Sequence, residues 1–408
     1  MSTTATLDHR RLYRLPWSLP DNAISWLEPT SACNLACDGC YRENVPSSHK
    51  PLDVVREEID RFCALRNADG MSIAGGDPLM HPEIVQIVRL IAERGVKPVL
   101  NTNGGRLTRE LLMDLKRAGL VGFTFHVDSK QGRPGWKGKG EVELNELRRE
   151  YAEMVAAAGG ISCAFNSTVY EDTLETTPDL VGWAARHIDI VHVMVFILYR
   201  AAAPQLPFDF YAGARKVDMQ ALAYGETRER KIDLGSLDVV AAIRRRFPDF
   251  APCAYLNGTE KPDSFKWLLS ARLGSKDRIY GYAGPRFMEA IQAGHHLFRG
   301  RYIAYAPPAA MRLGRTSMLL GAVDRDVRRI AGRWLAASLA NPLRLFEPLH
   351  LQSIMIIQPV DLLPSGLQNM CDGCPDMTLW NGELVWSCRM EELKHFGGWV
   401  RTVPRADV

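Results

Sequence analysis

Between Ile24 and Leu198 the sequence alternates short apolar runs with amphipathic stretches, and no other feature restricts the fold as strongly. Six runs have the length and composition of buried strands: ISWLE (24–28), MSIAG (71–75), KPVLN (97–101), LVGFTFHVD (120–128), ISCAFNSTV (161–169) and DIVHVMVFIL (189–198). The stretches between them, such as LDVVREEIDRFCALR and TRELLMDLKRAG, carry helical periodicity. Thr108 ahead of RELLMDLKRAG and His81-Pro82 ahead of EIVQIVRLIAERG mark two helix starts. A strand–helix repeat predicts parallel β/α units, here a partial (β/α)6 barrel over residues 24–200. Such sheets collect their ligands at the carboxyl ends of the strands. Cys33 follows the first strand, Gly75-Gly76-Asp77-Pro78 the second, and Asn101-Thr102-Asn103-Gly104 the third.

The pattern changes after Tyr199. Residues 1–23 read as an N-terminal extension, 201–350 as a mostly helical substrate or lid region, and 351–408 as a cysteine-containing region of mixed α/β character. No run of eighteen apolar residues is long enough to span a membrane. The N-terminus lacks the apolar core of a secretory signal, so a cytoplasmic location is the default expectation. A net charge of +3 gives no argument for a nucleic-acid partner.

Nine cysteines in a chain of this length point to metal binding or buried thiols rather than a disulfide framework. Cys33, Cys37 and Cys40 form one group and Cys371, Cys374 and Cys388 another. Cys63, on the helix over 52–65, and Cys163, in a strand, read as packed core thiols. Thiolates are the usual ligands of iron–sulfur clusters, and three local ones leave a cubane with one open iron. A structural zinc site would be closed by four protein ligands.

The segment LEPTSACNLACDGCYREN, with its spacing Cys33-x-x-x-Cys37-x-x-Cys40, resembles the signature of the radical S-adenosylmethionine (radical SAM) superfamily. The resemblance implies a TIM-like barrel holding a [4Fe–4S] cluster and S-adenosyl-L-methionine. It also implies an oxidoreductase or transferase that cleaves this cofactor reductively to a 5′-deoxyadenosyl radical and abstracts hydrogen from substrate. An electron donor such as flavodoxin or ferredoxin is implied as a partner. AGGDPLMHPE resembles the family's glycine-rich motif with Asp77 in place of Glu, which implies a cofactor-binding role for Gly75, Gly76, Asp77 and Pro78. The strand ends add Asn101, Asn103, Asp128, Ser129 and Asn166 as candidate cofactor contacts, and Asp128, Tyr199 and Arg200 as candidates to meet substrate. The family often places an aromatic residue before the third cysteine, near adenine. Here that residue is Gly39, with Tyr41 after the motif.

The second group, CDGCPDMTLWNGELVWSC, resembles the auxiliary-cluster extensions of SPASM or twitch type. Asn381-Gly382 between MTLW and ELVWS is a hairpin signal that would bring Cys374 and Cys388 together. A second [4Fe–4S] cluster is the preferred occupant and zinc the alternative, with Cys253 the nearest candidate for a fourth ligand. Residues 300–350 mix arginines with apolar side chains, the composition of a helix lying on a membrane surface or of an ordinary surface helix. The first strand begins at Ile24, which leaves little room for a leader-peptide or cobalamin domain ahead of it. Three functions stay open: hydrogen abstraction from a small-molecule or lipid-like substrate, maturation of a ribosomal precursor peptide or protein, and a non-catalytic metal-binding module.

Overall fold

The computed structural model describes residues 7–199, 207–223 and 234–405. Six parallel strands pair in chain order: β1 (Ile24–Thr30), β2 (Gly70–Gly75), β3 (Lys97–Thr102), β4 (Gly122–His126), β5 (Ser162–Val169) and β6 (Val193–Leu198). Helices α1 (Leu52–Leu65), α2 (Ile84–Glu93), α3 (Arg109–Arg117), α4 (Asn145–Ala158) and α5 (Thr177–Arg186) make the crossovers. The expected α/β architecture is therefore present. Both sheet faces need cover, so the strands read as nearly continuous apolar runs. Leu27, Ile73, Leu100, Phe123, Phe165 and Phe196 are buried against Ile59, Ile87, Leu115, Ala152 and Val181 of the helices. Each such side chain contributes on the order of 1.5–3 kcal/mol of transfer free energy. Thr108 caps α3, its hydroxyl accepting from Leu111 N–H at 3.2 Å.

The sheet does not stop at β6. Strand β10 (His350–Ile357) lies parallel to it, followed outward by β8 (Trp267–Gly274) and β7 (Ala254–Leu256), each antiparallel to its neighbour, with β9 (Ile279–Tyr282) also on β8. Tyr13–Arg14 of the N-terminal extension adds to the edge beside β7. The expectation that 201–350 is mostly helical is thus corrected: α6 (Ser236–Arg246), α7 (Pro285–Arg299) and α8 (Arg325–Ala340) are there, but so are three strands of the main sheet. A second apolar core lies under this extension, built from Leu15, Trp267, Leu273, Phe287, Val327 and Ile330. Asp324 ties it together, accepting from Val327 N–H at the start of α8 and from Gly284 and Phe287 N–H at the start of α7.

Asn381 and Gly382 take φ of 50° and 79°, and the strands they join, β11 (Met377–Trp380) and β12 (Glu383–Trp386), pair antiparallel. The hairpin expected there is present, and β11 packs against β1 at the edge of the barrel. No helix among the described residues is long and apolar enough to cross a membrane.

Candidate active site

Cys33, Cys37 and Cys40 lie on the loop that leaves β1 at the carboxyl edge of the sheet. The loop is held from three sides. Asn44 accepts from Cys33 N–H at 2.9 Å and donates to its carbonyl at 3.0 Å. Asn103, at the end of β3, donates to Asn34 Oδ1 at 2.8 Å and approaches Cys33 Sγ at 3.8 Å. Gly76 and Asp77 donate their N–H groups to Thr30 O at 2.9 Å and Ala32 O at 2.8 Å. A Cβ at Gly76 would sit 2.3 Å from Ala32 O, and one at Gly75, where φ is +109°, 2.1 Å from Thr30 O. The glycines are therefore required by the approach of one backbone to another.

The amides of Gly76 and Asp77 are thus used on the cysteine loop. The Asp77 carboxylate is buried and saturated: Leu79 N–H and Thr102 Oγ1 donate to one oxygen, Asn103 N–H and Thr102 Oγ1 to the other. Burial raises its pKa against the pull of these donors. Asp77 clamps the β2 loop to the β3 loop, while Pro78 opens the short 3-10 turn that follows.

Other strand ends complete the rim. Asp128 is buried, with its carboxylate 2.9 Å from His126 Nε2 and 2.9 Å from Lys130 N–H. Burial alone would raise its pKa, but His126 and the amide hold it below the ordinary value. Ser129 donates its N–H to Glu141 at 2.6 Å. Asn101 on β3 and Asn166 on β5 each bury an amide atom, Nδ2 and Oδ1 respectively, that has no hydrogen-bond partner among the described residues. Burying an amide atom unpaired is costly, so a ligand at this edge would meet a stated need at both positions. Gly39 takes φ of +68°, and the space a side chain would fill there is occupied by the Tyr199 ring, 1.9 Å from the Cβ position. Arg200 lies outside the described residues.

The three thiols suit a cluster in donor chemistry. Burial raises the pKa of each, and Cys33 and Cys40 raise that of Cys37 further. Thiolates in such a place need a cationic occupant, which binds by releasing their protons. A single zinc ion at roughly 2.3 Å from each sulfur would hold the three within about 4 Å of one another. Neither cysteine trio, among the described residues, has its three sulfurs within 4.8 Å.

Cys371, Cys374 and Cys388 lie in one neighbourhood. Cys374 and Cys371 are within hydrogen-bonding reach, and Cys388 adds its charge. Their neighbour Asp376 has its pKa pushed up to about 7, by burial above all and despite the opposing charge of Arg66. Cys253 does not join them. Its thiol donates to Leu269 O at 3.3 Å inside the second core, while Cys371 is bridged to Gly258, five residues further along. At about 3.3 Å per residue that separation is on the order of 16 Å. Cys163 is buried as expected, whereas Cys63 is exposed, because the buried face of α1 runs through Val55, Ile59 and Phe62 and excludes the next position.

Three buried arginines went unrecognised in the sequence. Arg42 pairs in bidentate fashion with Glu28, at 2.5 and 2.8 Å, and donates to Ser387 O at 2.7 Å and Ser387 Oγ at 2.8 Å. It thereby joins a residue two positions past Cys40 to one beside Cys388. Arg66 reaches Cys374 O and Pro375 O, each at 2.9 Å. Arg133 binds Asn103 O at 2.8 Å and His126 O at 3.1 Å, between the ends of β3 and β4. Their short-range neighbourhoods look like those of surface arginines. The one available signal was Arg42 lying so close to the cysteine motif.

The sequence pattern described as the radical SAM superfamily matches residues 27–133. Among curated relatives, a GTP 3′,8-cyclase of Chlorobaculum tepidum is 38% identical over 104 residues, 24% of this chain and 31% of its own. An AdoMet-dependent heme synthase of Oleidesulfovibrio alaskensis is 27% identical over 195 residues, 44% of this chain and 49% of its own. The chain thus spans 31% and 49% of the length of these two relatives. Among solved structures, SuiB of Streptococcus suis is 14% identical with a TM-score of 0.40, over 57% of this chain and 46% of its own. With the motif, the strand order and the cysteine loop in register, residues 27–133 are a radical SAM domain.

Proposed function

We propose that this enzyme removes hydrogen from an unactivated carbon of a small-molecule or lipid-like substrate. The observation that carries the reading is three thiols, and not four, on one loop at the carboxyl edge of a parallel sheet. Cys33, Cys37 and Cys40 would hold the cluster, leaving one iron for an outside ligand. When bound, the cluster supplies an electron to the sulfonium of S-adenosylmethionine, and so an oxidant strong enough for a C–H bond. The protein's part is to place and shelter that chemistry. Asn103 fixes the Cys33 side of the loop, and Asp77 with Gly75 and Gly76 fixes its base. Asn101 and Asn166 offer unpaired amides to the nucleoside and methionyl parts of the cofactor. Asp128 and Ser129 line the same edge. The names of the two curated relatives describe work on small molecules, which favours that branch.

Cys371, Cys374 and Cys388 would hold a second, auxiliary [4Fe–4S] cluster. A flavodoxin- or ferredoxin-type protein would supply electrons. The test is anaerobic reconstitution, with iron and sulfide counted for the wild type and for two triple Cys→Ala variants, one per trio. Wild type should hold about eight irons and each variant about four. With dithionite, 5′-deoxyadenosine should form in the wild type and not in the Cys33/Cys37/Cys40 variant. Zinc in both trios with no nucleoside product would refute the reading.

A further inference from the structure

Sixteen large apolar side chains are conspicuously exposed in the described chain, and ten of them fall between Leu297 and Phe346. The same stretch holds nine arginines, no lysine and only two aspartates, an excess larger than the +3 of the whole chain. Both properties belong to one structural unit. Residues 314–322 run back along α8: Arg328 donates to Gly321 O near its start, Arg315 stacks on Trp334 at 5.8 Å, and Arg315 also reaches Glu347 O past its end. The inward face of α8 is Val327, Ile330 and Ala337. Its outward face is divided. Arg325, Arg328, Arg329 and Arg333 are exposed in the first half, and Leu335 and Leu339 one turn apart in the second, continued by Leu343 and Phe346 after the helix. Leu339, Leu343 and Phe346 are 85%, 71% and 80% exposed, and Leu319 alongside is 76% exposed.

A helix that buries one apolar face and still presents leucines on the other has more apolar surface than its fold uses. Arginine beside exposed leucine and phenylalanine is the composition of interfacial helices on anionic lipid, where the apolar side chains enter the acyl boundary and the cations meet the headgroups. Asp326 and Asp249 pair with Arg329 and Arg333, but Arg325 and Arg328 stay exposed on the same side. We propose that the unit 313–346 docks the enzyme on an anionic bilayer, inserting Leu335, Leu339, Leu343 and Phe346. Docking of this kind gives the lipid-like branch of the proposed function a way to its substrate, and it rests on that reading for its purpose only.

The test is flotation of the full chain with vesicles of phosphatidylglycerol and phosphatidylcholine, against phosphatidylcholine alone, at low and high salt. The wild type should float with the anionic vesicles, less so at high salt. Leu339→Asn, Leu343→Asn and Phe346→Ser together should weaken partition at least tenfold, since full burial of each side chain is worth roughly that factor or more. Their exposure predicts an unchanged far-ultraviolet spectrum. No flotation of the wild type, or flotation indifferent to the triple substitution, overturns the proposal. So does a stable dimer in light scattering that the same substitution splits, since the face would then belong to a second copy. Nucleoside production by the same protein is measured separately, so loss of docking with turnover intact leaves the reaction assignment standing.

Discussion

Replacing Arg42 by methionine keeps most of the side chain's length and removes its charge, and the structure sets what should follow. Glu28 and Glu391 are both fully or almost fully buried, and Arg42 stands 2.5 Å from the first and 3.6 Å from the second. Without the guanidinium, Glu28 retains Trp26 Nε1 at 3.0 Å and Ser387 Oγ at 2.6 Å, but no cation in contact. Glu391 retains Lys394 at 2.8 Å. One carboxylate is thus stranded, which typically costs about 3–5 kcal/mol, far more than the net worth of the intact pair. Anaerobic urea unfolding of the wild type and Arg42→Met should show a loss of that size. Removing the stranded charge as well, in Arg42→Met/Glu28→Leu, should restore at least half of it, because two apolar groups replace the pair. The loss should also be local: Ser387 loses both of its bonds from the guanidinium, so Cys388 in the metal-free chain should alkylate faster while Cys163 does not. A single variant costing under about 1 kcal/mol, or a double variant no better than the single, would show that Arg42 is not the tie between the two cysteine regions.

Four further outcomes follow from the same geometry. Gly76→Ala must move the Ala32 carbonyl from 2.3 Å, so it should lower iron content at Cys33, Cys37 and Cys40. Gly382→Ala, at φ of +79° in open space, should cost only about 1–2 kcal/mol and leave the iron count unchanged. Cys253→Ala should keep full metal content in both sites, and loss of iron there would restore it as a ligand. His192 is buried beside His350, which lowers its pKa to about 4 from the ordinary 6.5. The unfolded chain therefore takes up the proton first as pH falls. The stability this histidine contributes is complete above pH 6.5 and is lost, by roughly 3 kcal/mol, on the way down to pH 4. His192→Asn, which keeps an acceptor for Cys163 N–H, should flatten that part of the profile in acid titration.

The barrel was legible because its strands are local objects. ISWLE, MSIAG and their successors are short apolar runs that need cover on both faces, and each is bounded by residues that stop it. The hairpin at Asn381-Gly382 was legible for the same reason, since two positive φ values in a row ask for those residue types. Strand β8 was not. WLLSARLG carries Ser270 and Arg272 in its middle and is buried throughout. Arg272 is tolerated because its guanidinium donates to Gln352 Oε1 on β10 and to Val181 O, while the same glutamine donates from Nε2 to Ala184 O and Val191 O. These partners lie eighty and more residues away, so no pattern of neighbours discloses them.

The site divides along the same line. The candidate cluster ligands Cys33, Cys37 and Cys40 are legible from their spacing, because a loop of eight residues can converge on one object by itself. The roles of Gly75, Gly76 and Asp77 are not, because residue type fixes only what a group can do. A glycine permits close approach and an aspartate accepts hydrogen bonds, whether the partner is a cofactor or another part of the chain. Here the partner is the chain: Thr30 O and Ala32 O take the amides, while Thr102 and Asn103 take the carboxylate. The same holds for Gly39, where the aromatic ring comes from Tyr199, at the end of β6 and 160 positions away, rather than from the motif itself. What the sequence could not state is which of two chemically equal partners arrives, and that is decided by the order in which β1, β2, β3 and β6 are laid side by side around one edge.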